Sequence, residues 1–413
     1  MVSDYPGHYF PMVPLGWALQ AAGHEVRIVC GPGQVETASR TGLPALARGT
    51  DVDTLVQARI GYHLEARAGL ANHPGLPPLH PLTGEPMARV EDFDWPAYQP
   101  QFVAQQAIQG RDRTRGIAGF ARHWRPELVL YDLLSVEGLV AAHVSGARAV
   151  CHLWGPTGTD EAGYGLERMR PDIPAPVRER LGIDPDAELV THVIDPCPPE
   201  VAPATRATRL PVRYVPYHGP GSAGRPAFAA PGRRRIVVVW SNSLTRIFGP
   251  ASFVVPTVLA ATADLDVELV LALSADDAAR LGTVPPGVQV LRQFPLSLLL
   301  HNASVVVHHG GAGCLMTALA AGVPQLALPF GLEQEMIARR LAGTGAGIAI
   351  QGSAAEAGNV GTALRALLDV AQHAHAARSL AARNAAAPSP AELVPVLAGL
   401  VDRSAHARAV RGL

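Results

Sequence analysis

The chain has 413 residues, of which 48% are hydrophobic and 17% are charged, a balance typical of a globular protein with two or three domains. Lys and Arg total 34 against 35 Asp and Glu, so no cationic surplus exists to bind nucleic acid or an anionic membrane surface. The sequence contains no lysine, which excludes Schiff-base enzymes and nucleotide triphosphatases that use a Walker A lysine.

The four cysteines, Cys30, Cys151, Cys197 and Cys314, are far apart and show no metal-ligand spacing. We therefore predict reduced thiols, with neither a disulfide nor a zinc site. The sequence shows no cationic leader and no apolar run of about 18 residues. These features predict a cytoplasmic protein that does not insert into a membrane.

In the first half, β-branched runs predict strands at residues 25–30, 127–132 and 147–152, and apolar spacing predicts helices at 12–22 and 136–145. Only Met1, Val2 and Ser3 are available for a strand before the Pro6-Gly7 turn, so the first strand is expected to be short. The sequence leaves open whether that shortness is native. Residues 59–104 show no clear period, which favours a long loop, with a lid over the acceptor site as one interpretation.

The second half alternates short apolar runs with Ala- and Leu-rich stretches, which predicts βαβ units on a parallel sheet. Strands are expected at 236–240, 267–273, 288–294, 304–309 and 325–329, and helices at 251–263, 313–321, 332–343 and 361–371. Residues 218–235 are rich in Gly, Pro, Ala and Arg, as an interdomain linker is. The predicted organisation is a domain at 1–217, a linker at 218–235, a domain at 236–390 and a helical tail at 391–413.

The segment 305–325 carries the sharpest chemical signal, because a buried strand runs through glycines directly into a helix. Gly311, Gly313 and Cys314 lie at the start of that helix, where unpaired backbone N–H groups and the helix dipole favour an anion. The same pattern also fits a tight turn without a ligand. The adjacent His308-His309 pair and the later Glu333-Gln334 pair favour a phosphate site.

Several stretches resemble the donor-site block of family 1 glycosyltransferases: His-His-Gly-Gly-Ala-Gly at 308–313, Ala-Gly-Val-Pro-Gln at 321–325 and Glu-Gln at 333–334. Pro-Gly-His-Tyr-Phe-Pro at 6–11 is similar to the actinomycete enzymes that move deoxysugars from dTDP carriers onto polyketides and macrolides. The resemblance implies an α/β protein of the GT-B fold, with two Rossmann-like doubly wound domains that face a central cleft. It further implies that the first domain binds the acceptor and the second domain binds the donor.

The resemblance also implies roles for individual residues. His309 and the turn Gly311–Cys314 are expected to hold the diphosphate, and Glu333 and Gln334 to bind sugar hydroxyls. Two residues depart from the family pattern, since Cys314 replaces Thr or Ser and Glu333 replaces the commoner Asp. The remaining expected contacts are, for the donor, Asn242, Ser243, Arg292 and Phe294, and, for the acceptor, Tyr9, Phe10 and Trp154.

His8 and Asp132 are the candidate catalytic pair. His8 follows the short first strand and Asp132 ends strand 127–132, and the carboxyl ends of neighbouring parallel strands face one crevice. An imidazole can take a proton from an acceptor hydroxyl, and a carboxylate on its other nitrogen would fix the tautomer. This pairing resembles the family's dyad. The alternative is that each side chain only bonds to backbone.

These expectations predict an inverting transferase that needs no cofactor or metal and leaves an O- or C-glycosidic linkage undecided. Its partners would be a dTDP-sugar and an aromatic polyketide or macrolide aglycone, and an activator protein or a homodimer stays open. Four D-x-D triplets are expected to be solvated rather than to bind a metal. The alternatives are a sugar-nucleotide epimerase of the same fold and a non-catalytic partner of a transferase. A dinucleotide oxidoreductase is disfavoured because the first βα turn lacks G-x-G-x-x-G.

Overall fold

The computed structural model of the protein describes residues 1–70, 76–162, 171–221, 232–292 and 294–411, without the side chains of residues 242 and 402–411. The strands are β1 (Ile28–Cys30), β2 (Ala45–Ala47), β3 (Leu128–Asp132), β4 (Arg148–His152), β5 (His192–Asp195), β6 (Thr208–Pro211), β7 (Arg234–Trp240), β8 (Val267–Leu273), β9 (Gln289–Arg292), β10 (Val305–His308), β11 (Gln325–Ala327) and β12 (Gly347–Ala349). The helices are α1 (Pro6–Tyr9), α2 (Val13–Ala21), α3 (Val35–Ser39), α4 (Thr54–Arg67), α5 (Trp95–Trp124), α6 (Glu137–Ser145), α7 (Ala175–Leu181), α8 (Asn242–Phe248), α9 (Val255–Thr262), α10 (Ala275–Leu281), α11 (Leu296–Leu300), α12 (Ala312–Ala321), α13 (Leu332–Gly343), α14 (Ala357–Asp369), α15 (Ala371–Ala386) and α16 (Pro390–Arg411).

The second domain is a parallel sheet in the order β12-β11-β10-β7-β8-β9. Its central strands are unbroken apolar runs, and Val305, Val306 and Val307 of β10 are completely buried. Such runs are typical of parallel strands that are covered by helices on both faces. The strand order reverses between β7 and β10, so the crevice at their carboxyl ends is where a doubly wound sheet binds its ligand. The predicted α/β architecture is confirmed.

The first domain contains a pair, β1-β2, and a four-stranded parallel sheet, β3-β4-β5-β6. Residues 1–3 run between the two, because the Val2 N–H donates to Val29 O at 3.1 Å and the Met1 ammonium to Leu130 O at 2.8 Å. Burial lowers the pKa of the Met1 amino group to about 6. Beside this short segment lies a mainly apolar cavity of about 580 Å³, bordered by β1, β3, α2 and α16.

The expected loop at 59–104 is wrong at its two ends, because residues 59–67 belong to α4 and residues 95–104 to α5. Both helices begin at a D-x-D triplet: Asp53 accepts hydrogen bonds from two backbone N–H groups of α4, and Asp94 accepts one from α5. These carboxylates are therefore helix caps. The buried positions of α5 are few and all lie between Arg113 and Ala121, so its first third has no buried apolar period that the sequence could show.

The chain ends by returning to the first domain. Leu393, Leu397 and Leu400 of α16 pack against Leu15 and Leu19 of α2 in one buried cluster. The predicted linker at 218–235 lies mostly outside the described residues, and its last two residues open β7. Among the helices that the structure describes, none combines the length and the apolar character that crossing a membrane requires.

A buried ion pair joins the two domains. Arg340 of α13 donates to both carboxylate oxygens of Glu161, at 2.9 and 2.6 Å, and also to Pro156 O. Glu161 is 4% exposed and accepts further bonds from the backbone of Gly158 and Ala204. The pair therefore fixes the loop after β4 against the second domain.

We expect Arg340→Met to destabilise the protein by roughly 2–4 kcal/mol, because it leaves the buried Glu161 carboxylate without its cation. Arg206→Met is the matched control, since Arg206 pairs with the neighbouring Asp160 but is 67% exposed. That change should cost less than about 1 kcal/mol. Urea unfolding of both variants checks the prediction, and equal losses would contradict it. Adding Glu161→Gln to Arg340→Met should recover part of the loss.

Candidate active site

The turn after β10 is built around glycines at which a side chain would be strained or would force a neighbour to move. Gly310 has φ +83°, and a Cβ at that position would lie 3.3 Å from the side chains of Gln334 and Pro329. A Cβ at Gly311 would lie 2.6 Å from the ring of His309. Gly311 is the N-cap of α12 and carries no capping side chain. Among the described residues no group accepts a hydrogen bond from the N–H groups of the first turn, so these groups are available for an anion.

Two consecutive histidines support this turn differently. His308 is fully buried, accepts the Gly310 N–H on Nδ1 at 3.0 Å and bonds to Gln325 Oε1 through Nε2 at 2.9 Å, so its proton lies on Nε2. Burial lowers the pKa of His308 to about 4 and that of His309 to about 4. The Nδ1 atom of His309 is buried without a partner among the described residues. His309 is therefore a neutral imidazole with unused hydrogen-bonding capacity beside the turn.

Glu333 and Gln334 lie in the first turn of α13, as expected, but they have different partners. The Oε1 atom of Gln334 accepts the N–H groups of Phe330 at 3.0 Å and Gly331 at 3.3 Å, so this oxygen caps the helix and the amide nitrogen is left for a ligand. The Oε1 atom of Glu333 accepts the Trp154 indole N–H at 3.0 Å and the Thr157 hydroxyl at 2.7 Å. Both partners of Glu333 belong to the first domain.

The other predicted donor contacts divide between the crevice and the sheet edge. Ser243 opens α8 after β7, bonds to Ser241 at 2.7 Å and accepts the Tyr5 hydroxyl at 3.3 Å. The side chain of Asn242 lies outside the described part of the chain. Arg292 is exposed at the end of the edge strand β9, which β8 separates from β7.

Phe294 and Cys314 both contact the apolar cluster between the sheet and α11. Burial raises the pKa of Cys314 to about 12, so the side chain is a neutral thiol at physiological pH. The sequence expectation of Phe294 as a nucleobase contact therefore remains a prediction. At Cys314 the backbone N–H is the group that faces an anion at the helix start.

The structure brings His8 and Asp132 together but does not pair them directly. The Ser3 hydroxyl lies 3.2 Å from His8 Nδ1, and the Ser3 backbone N–H donates to Asp132 Oδ2 at 2.7 Å. Asp132 is fully buried and its second oxygen accepts the Leu134 N–H at 2.9 Å. The expected His8–Asp132 hydrogen bond is thus corrected to a chain through Ser3, because backbone donors already satisfy the carboxylate.

His8 is half-buried, and burial lowers its pKa below the ordinary 6.5 against the opposing charges of Asp132 and Glu333. It is therefore a neutral imidazole at pH 7, the form that can accept a proton. The Nδ1 atom is engaged by Ser3, and Nε2 has no partner among the described residues.

Two of the three expected acceptor contacts are buried in this structure. Tyr9 is 1% exposed in the core of the first domain, with its hydroxyl on Gln34, and Trp154 is 2% exposed. Their role as acceptor contacts therefore stays a prediction. Phe10 is half-buried, with its ring edge-on to Tyr217 at 5.0 Å, and stays a predicted contact.

Three residues of the site were not predicted from the sequence: Ser3, which lies between His8 and Asp132, and Tyr5 and Thr157, which contact the second domain across the cleft. None of them belongs to a recognisable motif. Tyr5 bridges to Ser243 across the cleft, and its ring lies 4.8 Å from that of His8. Only the position of Tyr5 and Ser3 beside His8 in the sequence is a signal. Among the described residues, no group of three or more His, Cys, Asp or Glu side chains is placed to hold a metal ion.

The chain matches known proteins over nearly its full length. Residues 100–240 and 256–400 match the N-terminal and C-terminal domains of the family described as erythromycin biosynthesis protein CIII-like. It is 32% identical to the 10-deoxymethynolide desosaminyltransferase of Streptomyces venezuelae, over 94% of this chain and 93% of the relative. It is 32% identical to the TDP-daunosamine transferase DnrS of Streptomyces peucetius, over 96% of this chain and 95% of that protein.

The solved structure of the spinosyn rhamnosyltransferase SpnG aligns with a TM-score of 0.76 and 28% identity, over 96% of this chain and 98% of SpnG. SpnG has also been solved with thymidine diphosphate and with the spinosyn aglycone. These matches are consistent with the geometry described above, in which the glycine turn after β10 and the imidazole of His8 lie on facing sides of one cleft. The chain therefore belongs to the erythromycin biosynthesis protein CIII-like family and is a nucleotide-sugar glycosyltransferase of the GT-B fold.

Proposed function

We propose that the protein transfers a deoxysugar from a dTDP-sugar to an apolar natural-product aglycone, with inversion and without a metal or cofactor. The observation that carries the proposal is that His8 and Glu333 belong to opposite domains and contact the same residue, Trp154. A proton acceptor and a sugar-binding carboxylate are thus held on facing sides of one cleft. This arrangement suits a single displacement at the anomeric carbon.

The donor diphosphate binds at the start of α12. The free N–H groups of the first turn and the neutral His309 donate hydrogen bonds to the phosphate oxygens. As the bond between the sugar and dTDP breaks, negative charge grows on the diphosphate, and these fixed dipoles stabilise it. A divalent cation has this role in metal-dependent enzymes. The amide nitrogen of Gln334 and the free oxygen of Glu333 face the sugar.

His8 is the base. Its Nε2 takes the proton from the acceptor nucleophile while Ser3 holds Nδ1, and the nearby Asp132 charge stabilises the imidazolium that forms. Attack from the first-domain side, opposite the diphosphate, inverts the anomeric carbon. The acceptor lies beside His8, with Phe10 as the aromatic contact that remains available.

The names of the relatives support the class of substrates. They are transferases of desosamine and daunosamine, and SpnG binds both thymidine diphosphate and an aglycone. A site whose donor contacts are backbone amides and one imidazole fits any nucleoside diphosphate. The thymidine preference therefore rests on the relatives, and the deoxysugar and the aglycone follow from the same comparison.

The direct test is turnover of a panel of dTDP-deoxysugars with macrolide and aromatic polyketide aglycones, followed by mass spectrometry in the presence of EDTA. We expect product with the inverted anomeric configuration and an unchanged rate in EDTA, because the helix amides and His309 supply the positive potential. The proposed metal independence is wrong if EDTA abolishes transfer and Mg²⁺ or Mn²⁺ restores it.

We expect His8→Ala to lower the transfer rate by about 10²–10⁴-fold, the usual effect of losing a general base. His24→Ala, at an exposed position, is the control and should leave the rate unchanged. Since burial lowers the pKa of His8, the acidic limb of kcat/KM of the parent enzyme should lie at lower pH than the ordinary imidazole pKa of 6.5 would place it. A His8→Ala enzyme with near-parent turnover would return the base to another group.

We expect Gly310→Ala to weaken dTDP binding by about tenfold, because a side chain at φ +83° strains the turn and meets Gln334 and Pro329. Gly23→Ala is a matched control, since Gly23 also has positive φ (+90°) but open space around it. Calorimetric titration with dTDP separates the two variants. Equal affinity in both would show that the turn does not hold the diphosphate.

A further inference from the structure

We propose that Trp154 is a positioning residue that couples recognition of the sugar to the orientation of the base. The inference rests on the proposed function, because it assigns roles to His8 and Glu333 in sugar transfer. Trp154 follows β4 and is 2% exposed, so it is almost completely shielded from solvent. The face of its indole ring instead contacts the imidazole of His8, and the N–H at the ring edge donates to the carboxylate of Glu333.

The ring face of Trp154 holds the imidazole of His8. The two ring centroids are 4.0 Å apart and the planes are inclined by 18°, which is a stacked arrangement. A stacked ring cannot turn out of its plane, while the nitrogens at its edge stay accessible. With Nδ1 at the Ser3 hydroxyl, the stack directs Nε2 toward the cleft.

The ring edge of Trp154 holds the carboxylate of Glu333. The indole N–H and the Thr157 hydroxyl both donate to Oε1, at 3.0 and 2.7 Å. No ion pair to Glu333 occurs among the described residues, and its Oε2 has no hydrogen bond there. Two donors on one oxygen fix the plane of the carboxylate and leave the other oxygen for a sugar hydroxyl.

These contacts cross between domains, because Trp154 and Thr157 belong to the first domain and Glu333 to α13 of the second. The carboxylate is correctly oriented only while the two faces of the cleft are together. In that arrangement the same indole also holds the base in place. A sugar that bonds to Glu333 therefore stabilises the arrangement in which His8 is ready to accept a proton.

The pKa of His8 provides a second measurement that tests the positioning role of Trp154. The groups that face the imidazole are the carboxylates of Asp132 and Glu333, the phenol of Tyr5 and the hydroxyl of Ser3. Burial is the largest influence on the pKa of His8 and lowers it. Removing the indole admits water, which should return the pKa toward 6.5.

Three variants separate the two contacts. Trp154→Phe keeps a ring against His8 but removes the N–H to Glu333, Thr157→Val removes the other donor, and Trp154→Leu removes both functions of the indole. Trp17→Phe is the matched control, because Trp17 also donates its indole N–H, to Thr41 O at 2.8 Å, but lies on α2 and is 39% exposed. Thermal unfolding checks that each variant is folded.

We expect Trp154→Phe and Thr157→Val to raise the KM of the dTDP-sugar about tenfold or more, the usual effect of losing a bond to a charged acceptor. Their affinity for dTDP should stay within about threefold of the parent, because the diphosphate binds at α12. Trp154→Leu should also lower kcat and move the acidic limb of kcat/KM upward. Trp17→Phe should match the parent in all these measurements.

The proposal is overturned if Trp154→Phe behaves like Trp17→Phe, or if it weakens dTDP and dTDP-sugar equally, which is the result of a purely structural role. Two measurements do not depend on transfer. Calorimetry gives the ratio of dTDP-sugar to dTDP affinity, and NMR titration gives the pKa of His8 in the parent and in Trp154→Leu. The parent enzyme could transfer no sugar while the affinity ratio and the pKa of His8 still change in the variants as expected. In that case the proposed function fails and the positioning role of Trp154 stands.

Discussion

Two parallel sheets direct the carboxyl ends of their strands at one cleft, and every functional group of the protein depends on this constraint. In the second domain the order of strands reverses between β7 and β10, and Ser243 and His309 follow these two strands. In the first domain the segment of residues 1–3 lies between β1 and β3. His8 follows this segment in the chain, and Asp132 is the last residue of β3. Neither domain alone contains a complete site.

Burial decides the charge state of the cleft. The imidazoles of His8 and His309 have lowered pKa values and are neutral at physiological pH, so one can accept a proton and the other can donate a hydrogen bond. Of the residues assigned to the donor, only Arg292 is cationic, and it lies exposed at the sheet edge. In the proposed donor site the positive potential for a diphosphate would therefore come from backbone amides, which suits a chain without lysine.

The sequence predicts elements well where one local signal is strong. The bounds of β8 and α13 agree with the predicted strand 267–273 and helix 332–343, because the strand is apolar at every position except Glu268 and the helix has a clear apolar period. Prediction from the sequence fails where packing between distant parts of the chain determines the structure. The buried residues of α5 all lie between Arg113 and Ala121, so the first third of this 30-residue helix has no buried face and was expected to be loop.

The same distinction applies to the site. The glycine turn and His8 are recognisable because the chemistry needs those residue types at fixed positions in the chain. The burial of Tyr9 and Trp154, the Ser3 hydroxyl between His8 and Asp132, and the partners of Glu333 all depend on residues far apart in sequence. No local pattern encodes such contacts.

The two departures from the family pattern have structural explanations in this fold. Cys314 contacts the apolar cluster beside α11, where a thiol is easier to bury than a hydroxyl, and the helix amide at that position is unchanged. Glu333 has one methylene more than Asp, and its Oε1 reaches the indole of Trp154 and the hydroxyl of Thr157 in the other domain. A shorter carboxylate at the same backbone position would lie farther from both donors. The longer side chain thus links the sugar subsite to the domain that carries the base.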